Sequence, residues 1–231
     1  MLVRHFGGRV DPFTSSILVF PLFLVYQVGI LSSNGQNGVD FVTRSLVDLA
    51  HRDLGNYLVL LCGMLVTYAA IVVILRRLGS LRPRTFGPVL LESSFYALSM
   101  GSIILYVMRQ VEGFVPGLAL ATGPIDVLVV SAGAGLHEEL IFRVAGVTGL
   151  AWLFAGITGP KRAFVAALIV SSVLFSLAHH VGPMSEPFRF ATFTYRVLAG
   201  AFFAIVYKVR GFAVAAWTHA LYDVYVIGLS D

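Results

Sequence analysis

Three short groups of polar residues stand inside otherwise apolar stretches of this chain. The first is Leu136-His137-Glu138-Glu139-Leu140-Ile141-Phe142-Arg143, which puts two carboxylates and a guanidinium into a segment apolar from Pro124 to Ile157. The second is Phe175-Ser176-Leu177-Ala178-His179, and the third is His219-Ala220-Leu221-Tyr222-Asp223. In a helix, residues four apart share a face while neighbours diverge by about a quarter turn. Glu139 can therefore pair with Arg143, and Phe175 shares a face with His179 as His219 does with Asp223. Glu138 looks elsewhere and needs a partner from another helix. A structural ion pair accounts for Glu139 and Arg143 but leaves the second glutamate unexplained.

A glutamate and a histidine in a dry cavity suit the activation of a water molecule. The glutamate takes the proton, and the histidine orients the water and later protonates a leaving amine. A second histidine with a polar neighbour four residues on can stabilise an oxyanion. The same side chains could instead hold a divalent metal, since two histidines and a carboxylate are adequate zinc ligands. His137-Glu138-Glu139-Leu140-Ile141 starts like the zinc motif HExxH but ends in isoleucine, so that ligand pair is missing. No Gly-x-Ser-x-Gly is present, and Tyr222-Asp223 lacks a Gly-x-Gly-Asp partner. The expectation is a reaction that needs neither a metal nor another cofactor.

These groups must be positioned by membrane helices. The mean hydropathy is +0.86, with 58% hydrophobic and 12% charged residues, about half the charge of a soluble domain. The excess of 16 Lys and Arg over 12 acids does not point to nucleic acid, because the basic residues sit between the apolar runs. Cys62, alone, rules out an intrachain disulfide and reads as packing in an apolar run,. Arg4 and Arg9 precede an apolar run as in a signal peptide. No small-residue cleavage site follows, so this run is expected to be a retained first span.

Seven apolar runs come near the length of a spanning helix: Ser15 to Leu31, Asn56 to Leu75, Val89 to Met108, Pro124 onward, Ala163 to Val181, Ala191 to Tyr207 and Phe212 to Leu229. Val39 to Leu54 instead alternates apolar residues with Asp40, Arg44, Asp48, His51, Arg52 and Asp53, the pattern of an amphipathic helix lying at the interface. The expected fold is all-α and polytopic, a single integral membrane domain over residues 1–231. Residues 1–112 would be peripheral and 124–229 the core. With the N-terminus inside, inside segments hold ten Lys and Arg and outside segments four, which favours N-terminus in and C-terminus out.

The run from Pro124 to Ile157 would make a helix of about 51 Å against a core of about 30 Å. It is expected to tilt, or to bend near Gly146 or Gly149. Thr122 as cap, Pro124 in the first turn and Asp126 near the N-terminus read as start signals without a catalytic role,. Glu138 lies 21 residues before the turn at Gly159, and His179 lies 20 after it. In an antiparallel pair of helices the two come to the same depth.

The ordered set Glu138-Glu139-x-x-x-Arg143, Phe175-x-x-x-His179 and His219-x-x-x-Asp223 resembles the three motifs of the CAAX prenyl endopeptidase and bacteriocin-processing (CPBP, or Abi) family. The resemblance covers about residues 125–229 and implies a glutamate-type intramembrane endopeptidase with a helical core around a water-filled cavity. It further implies that Glu138 and His179 activate the water, that His219 and position 223 form the oxyanion hole, and that Glu139, Arg143 and Phe175 support them. Position 223 is often Asn in the family and is Asp here. An ionised Asp donates no hydrogen bond, so it is either protonated or orients His219. The expected partners are the lipid bilayer and a membrane-tethered peptide or protein. The depth of the residues places the site in the outer half of what is expected to be a bacterial cytoplasmic membrane, where it would process or sort exported proteins. Two other classes use the same residues: a non-proteolytic immunity or scaffold protein that binds a peptide, and a proton-coupled transporter. The transporter would show internal repeats, and none is visible.

Overall fold

The computed structural model describes residues 8–33, 40–50, 53–109, 123–181, 185 and 187–228. Among them are eight helices and no strand: α1 (Pro12–Gly29), α2 (Phe41–Leu49), α3 (Leu54–Leu75), α4 (Phe86–Met108), α5 (Pro124–Thr158), α6 (Pro160–Ala178), α7 (Phe190–Arg210) and α8 (Phe212–Gly228). Six of these are long and apolar enough to cross a membrane. α8, the seventh apolar run, has 17 residues, about 26 Å of helix and the short end of a spanning length. The chain is a polytopic, all-α membrane protein.

Helix starts follow side-chain capping. Asp11, Asp40 and Asp53 each accept the amide three residues on, at 2.8 to 2.9 Å, which satisfies one of the orphan donors of α1, α2 and α3. The amphipathic stretch forms a shorter helix than its pattern suggests, because Asp53 caps a separate α3 where one continuous segment to Leu54 is expected. At the head of α5 the cap position belongs to Gly123. Thr122, the expected cap, lies outside the described residues, as do His51 and Arg52. Asp126 in the first turn of α5 accepts a hydrogen bond from Ser33, a structural contact. α5 turns into α6 at Gly159 (φ 79°) and α7 into α8 at Gly211 (φ 96°), a left-handed backbone that glycine adopts without strain.

α8 is the centre of the bundle. Its Ala213, Val214, Ala215 and Ala216 are fully buried against Leu18, Leu22 and Tyr26 of α1, Val129, Ala132 and Leu136 of α5, and Val206 of α7. A second cluster joins Met100 and Ile104 of α4 to Phe203 of α7 and Tyr222 of α8. The periphery is apolar instead: α3 buries only 6% of its spanning window, and Trp152 and Ile157 at the end of α5 are 80% and 86% exposed. Apolar groups outward with Glu92, Glu138, Glu139, Arg143, Arg210 and His219 inward is the polarity a bilayer solvent demands.

Two departures shape the functional end. α5 is continuous through Gly146 and Gly149, but its backbone widens into π-helical turns over Ala134–Glu138 and Leu140–Val147, the second of which includes Gly146. Such i→i+5 turns are rare and rotate successive side chains away from α-helical positions. Beside the first, α5 and α8 come close enough that a Cβ on Gly135 would lie 2.5 Å from Ala216 O and 2.8 Å from Ala220 Cβ. Replacing Gly135 by valine must force α5 off α8. Overpacking of this kind costs about 1–3 kcal/mol, so Gly135→Val is expected to lower the unfolding temperature of the purified protein, whereas Gly149→Val, whose added Cβ meets nothing within 4 Å, should leave it near wild type.

Candidate active site

Each of the three polar groups is delivered by a different helix. Glu138 and Glu139 stand where the two widened turns of α5 meet. His179 is the residue that caps α6, and His219 and Asp223 lie one turn apart on α8. Glu138, Glu139, Arg143, Phe175 and His219 are all buried, while the His179 and Asp223 side chains keep 25% and 21% of their surface exposed. The cluster is therefore closed on the Glu139 side and open toward His179 and Asp223.

The innermost contact is an ion pair. Arg143 Nε lies 3.2 Å from Glu139 Oε2, and an Arg143 terminal nitrogen donates to Gly200 O of α7 at 3.3 Å. The guanidinium is sandwiched between the rings of Phe175 and Phe203, at 4.5 and 5.3 Å from their centroids, which replaces lost hydration by cation–π contact. A carboxylate paired with a guanidinium is ionised and can only accept. The other oxygen, Glu139 Oε1, lies 2.8 Å from His219 Nδ1, so Nδ1 carries a proton and donates it. His219 Nε2 then points to the open side, 3.9 Å from Glu138 Oε2 and 3.7 Å from Asp223 Oδ2.

His179 is fixed in the same way. Its Nδ1 lies 2.9 Å from Phe175 O, and since a carbonyl only accepts, this nitrogen donates. Nε2 faces Glu138 Oε2 at 3.8 Å. α6 thus brings His179 to Glu138 across the Gly159 turn. Arg196 of α7 lies within electrostatic reach of both His179 and Asp223. Among the described residues, no three His, Cys, Asp or Glu side chains are grouped to hold a metal ion.

Phe203 carries no signal in the sequence, being one of many aromatics in an apolar run. In the structure its ring stacks on His219 with centroids 4.3 Å apart and planes 18° from parallel. Phe175 meets the same imidazole edge-on at 5.9 Å. The one hint is Gly200, where a Cβ would lie 3.1 Å from Ser172 Cα; a glycine there lets α7 press on α6 and bring Phe203 inward.

The family model described as type II CAAX prenyl endopeptidase Rce1-like matches residues 120–225. That segment holds all three polar groups. Over residues 120–225 the chain is similar to the type II CAAX prenyl endopeptidases. No curated protein and no solved structure matches the chain. Helices α1 to α4 lie outside the matched CAAX-protease segment, yet α1 and α4 pack on its central helix α8. Within that segment Arg143 neutralises a carboxylate that has no access to water. Removing one partner of a buried pair costs about 3–5 kcal/mol. Arg143→Ala is expected to reduce yield and thermal stability sharply. A variant that folds with an unchanged unfolding temperature would reassign Arg143 from scaffold to substrate contact.

Proposed function

We propose that the chain is a glutamate-type intramembrane endopeptidase in which Glu138 is the general base. The observation that carries this reading is the meeting of Glu138 Oε2 with two imidazole nitrogens, His179 Nε2 at 3.8 Å and His219 Nε2 at 3.9 Å. Groups so spaced can both stand at about 2.8 Å from one water oxygen, a normal hydrogen-bond length.

In this mechanism Glu138 takes a proton from the water as its oxygen attacks the scissile carbonyl carbon. His179, with Nδ1 committed to Phe175 O, has Nε2 available to accept from the water and then to carry the proton that Glu138 has taken to the departing amine as the C–N bond breaks. His219, held through Nδ1 by Glu139, presents Nε2 toward the developing oxyanion. As an imidazolium it donates to that oxygen, and Asp223 on the same helix face orients and balances it. Glu139 and Arg143 fix the ring without touching the substrate. The substrate in this reading is a membrane-tethered protein segment, with prenylated tails as the class that the family name indicates.

Exchanging the base for its amide keeps volume and shape while removing proton acceptance. With an internally quenched prenylated peptide and its unprenylated counterpart as probes, Glu138→Gln is expected to lose at least about a hundredfold in rate with its unfolding temperature kept and peptide binding retained. Activity within about tenfold of wild type would remove Glu138 from the base position.

The side that the site faces follows from charge. Val10 N donates to Arg210 O at 2.9 Å, and Thr14 Oγ1 to Ser80 O at 2.9 Å. The starts of α1 and α8 and the α3–α4 connection thus share one end of the bundle. Arg9, Arg76, Arg77, Arg82, Arg84, Lys161, Arg162, Lys208 and Arg210 gather there, and His179 lies at the other. A basic end is a cytoplasmic end, so the site opens to the outer half of a bacterial cytoplasmic membrane and serves exported proteins. In a Cys62→Ser background, a membrane-impermeant thiol reagent should label Ser185→Cys but not Ser80→Cys in intact cells; the reverse pattern turns the site toward the cytoplasm.

A further inference from the structure

His137, next to the proposed base, has no part in that chemistry, yet its ring is held on three sides. Nδ1 lies 3.0 Å from Gly133 O, and since a carbonyl only accepts, Nδ1 donates. In a regular α-helix that carbonyl receives the backbone amide of residue 137. The π-helical turn over Ala134–Glu138 coincides with the ring's bond to Gly133 O, a side-chain bond that competes with the helix ladder. The ring also packs against Tyr26 of α1, with centroids 4.8 Å apart.

The other nitrogen, Nε2, lies 3.6 Å from Asp40 Oδ2, beyond hydrogen-bond length, so the contact is electrostatic and draws the two groups together when the ring carries both protons. Asp40 caps the short interfacial helix α2 and is nevertheless 3% exposed. Its Oδ1 takes the Thr43 amide at 2.9 Å, while the buried Oδ2 accepts no hydrogen bond and has the His137 ring as its ion-pair neighbour. Behind it, Gln27 Nε2 donates to Thr43 Oγ1 at 2.9 Å, and Tyr57 Oη donates to Gln27 Oε1 at 2.9 Å. A run of buried polar contacts thus leads from α3 through α1 and α2 to the turn that ends at Glu138.

We propose that His137 and Asp40 are positioning residues: their contact latches α2 onto the widened turn of α5 and so holds Glu138 and Glu139 against His219. Docking of the interfacial helix then becomes a condition for an assembled site. The latch rests on the endopeptidase reading for its effect on rate, and on geometry alone for its effect on the turn.

Two variants cut the latch with little else. Asp40→Ser keeps an N-cap oxygen for Thr43 but is too short to reach His137. His137→Asn places an amide NH2 where Nδ1 stood, so Gly133 O keeps a donor while the Asp40 contact goes. In purified full-length protein in lipid nanodiscs, each is expected to lower kcat about tenfold toward the quenched prenylated peptide, with KM within twofold. The double variant should fall no further than the worse single one, because the two residues act as a unit. Amide hydrogen exchange over 134–147 should rise at least threefold in each, while that of α8 stays at the wild-type level. Exchange over 134–147 that stays within threefold of wild type overturns the latch, and so does a kcat loss under threefold or losses that multiply in the double variant. If the wild-type protein cleaves neither peptide, the endopeptidase reading fails on its own, and exchange over 134–147 still decides the latch.

Discussion

The carboxylate of Glu139 is the charge around which the bundle is assembled. It is fully buried, and an ion of this size taken out of water without partners is costly enough to stay neutral or to keep a helix out of the membrane. Its two oxygens have different partners: Oε2 forms an ion pair with Arg143 on the same helix, and Oε1 accepts from His219 on α8. Arg143 in turn needs neighbours on every side. It finds Phe175 on α6, and Phe203 and the Gly200 carbonyl on α7. One buried charge thus requires four helices in fixed register, and that same register sets the direction of His219 Nε2.

Packing of small residues makes this possible. α8 meets α5 through Gly135, Ala216 and Ala220, so the two backbones approach closely enough for a carboxylate on one to reach an imidazole on the other. Small residues at helix interfaces are the usual means of close approach in membranes, where lipid is as apolar as the side chains and van der Waals fit drives association. The widened turns of α5 add what a regular helix cannot supply. Two adjacent glutamates on an α-helix point about a quarter turn apart, yet here both come within 3.9 Å of a nitrogen of His219.

The opposite end of the bundle is closed by a separate buried ion pair. Arg210 Nε and a terminal nitrogen donate to the two carboxylate oxygens of Glu92 at 2.5 and 3.0 Å, a bidentate geometry that favours Arg over Lys. The same guanidinium holds the Gly8 carbonyl, and Gly211 lets the chain before α1 pass closely: a Cβ there would lie 2.7 Å from Val10 O. Helices outside the family segment are thereby tied to α7 and α8, so α1 and α4 are parts of the scaffold that fixes the site.

Much of this was legible in the sequence because its signals are local. Apolar run lengths gave the spanning helices, since a bilayer fixes the length a helix needs. Spacings of four placed Glu139 on Arg143, and the symmetric distances from Gly159 brought Glu138 to His179, because rise per residue is constant in any helix. What the sequence could not decide depends on contacts between distant segments. A tilt or a bend near Gly146 or Gly149 was expected of α5, and the run lengths gave no sign that its backbone widens over Ala134–Glu138 and Leu140–Val147. The second partner of Glu139, the stacking of Phe203 on His219 and the burial of Asp40 have no local pattern either. Each depends on which helix lies beside which and how closely their backbones approach, and only the assembled bundle settles that.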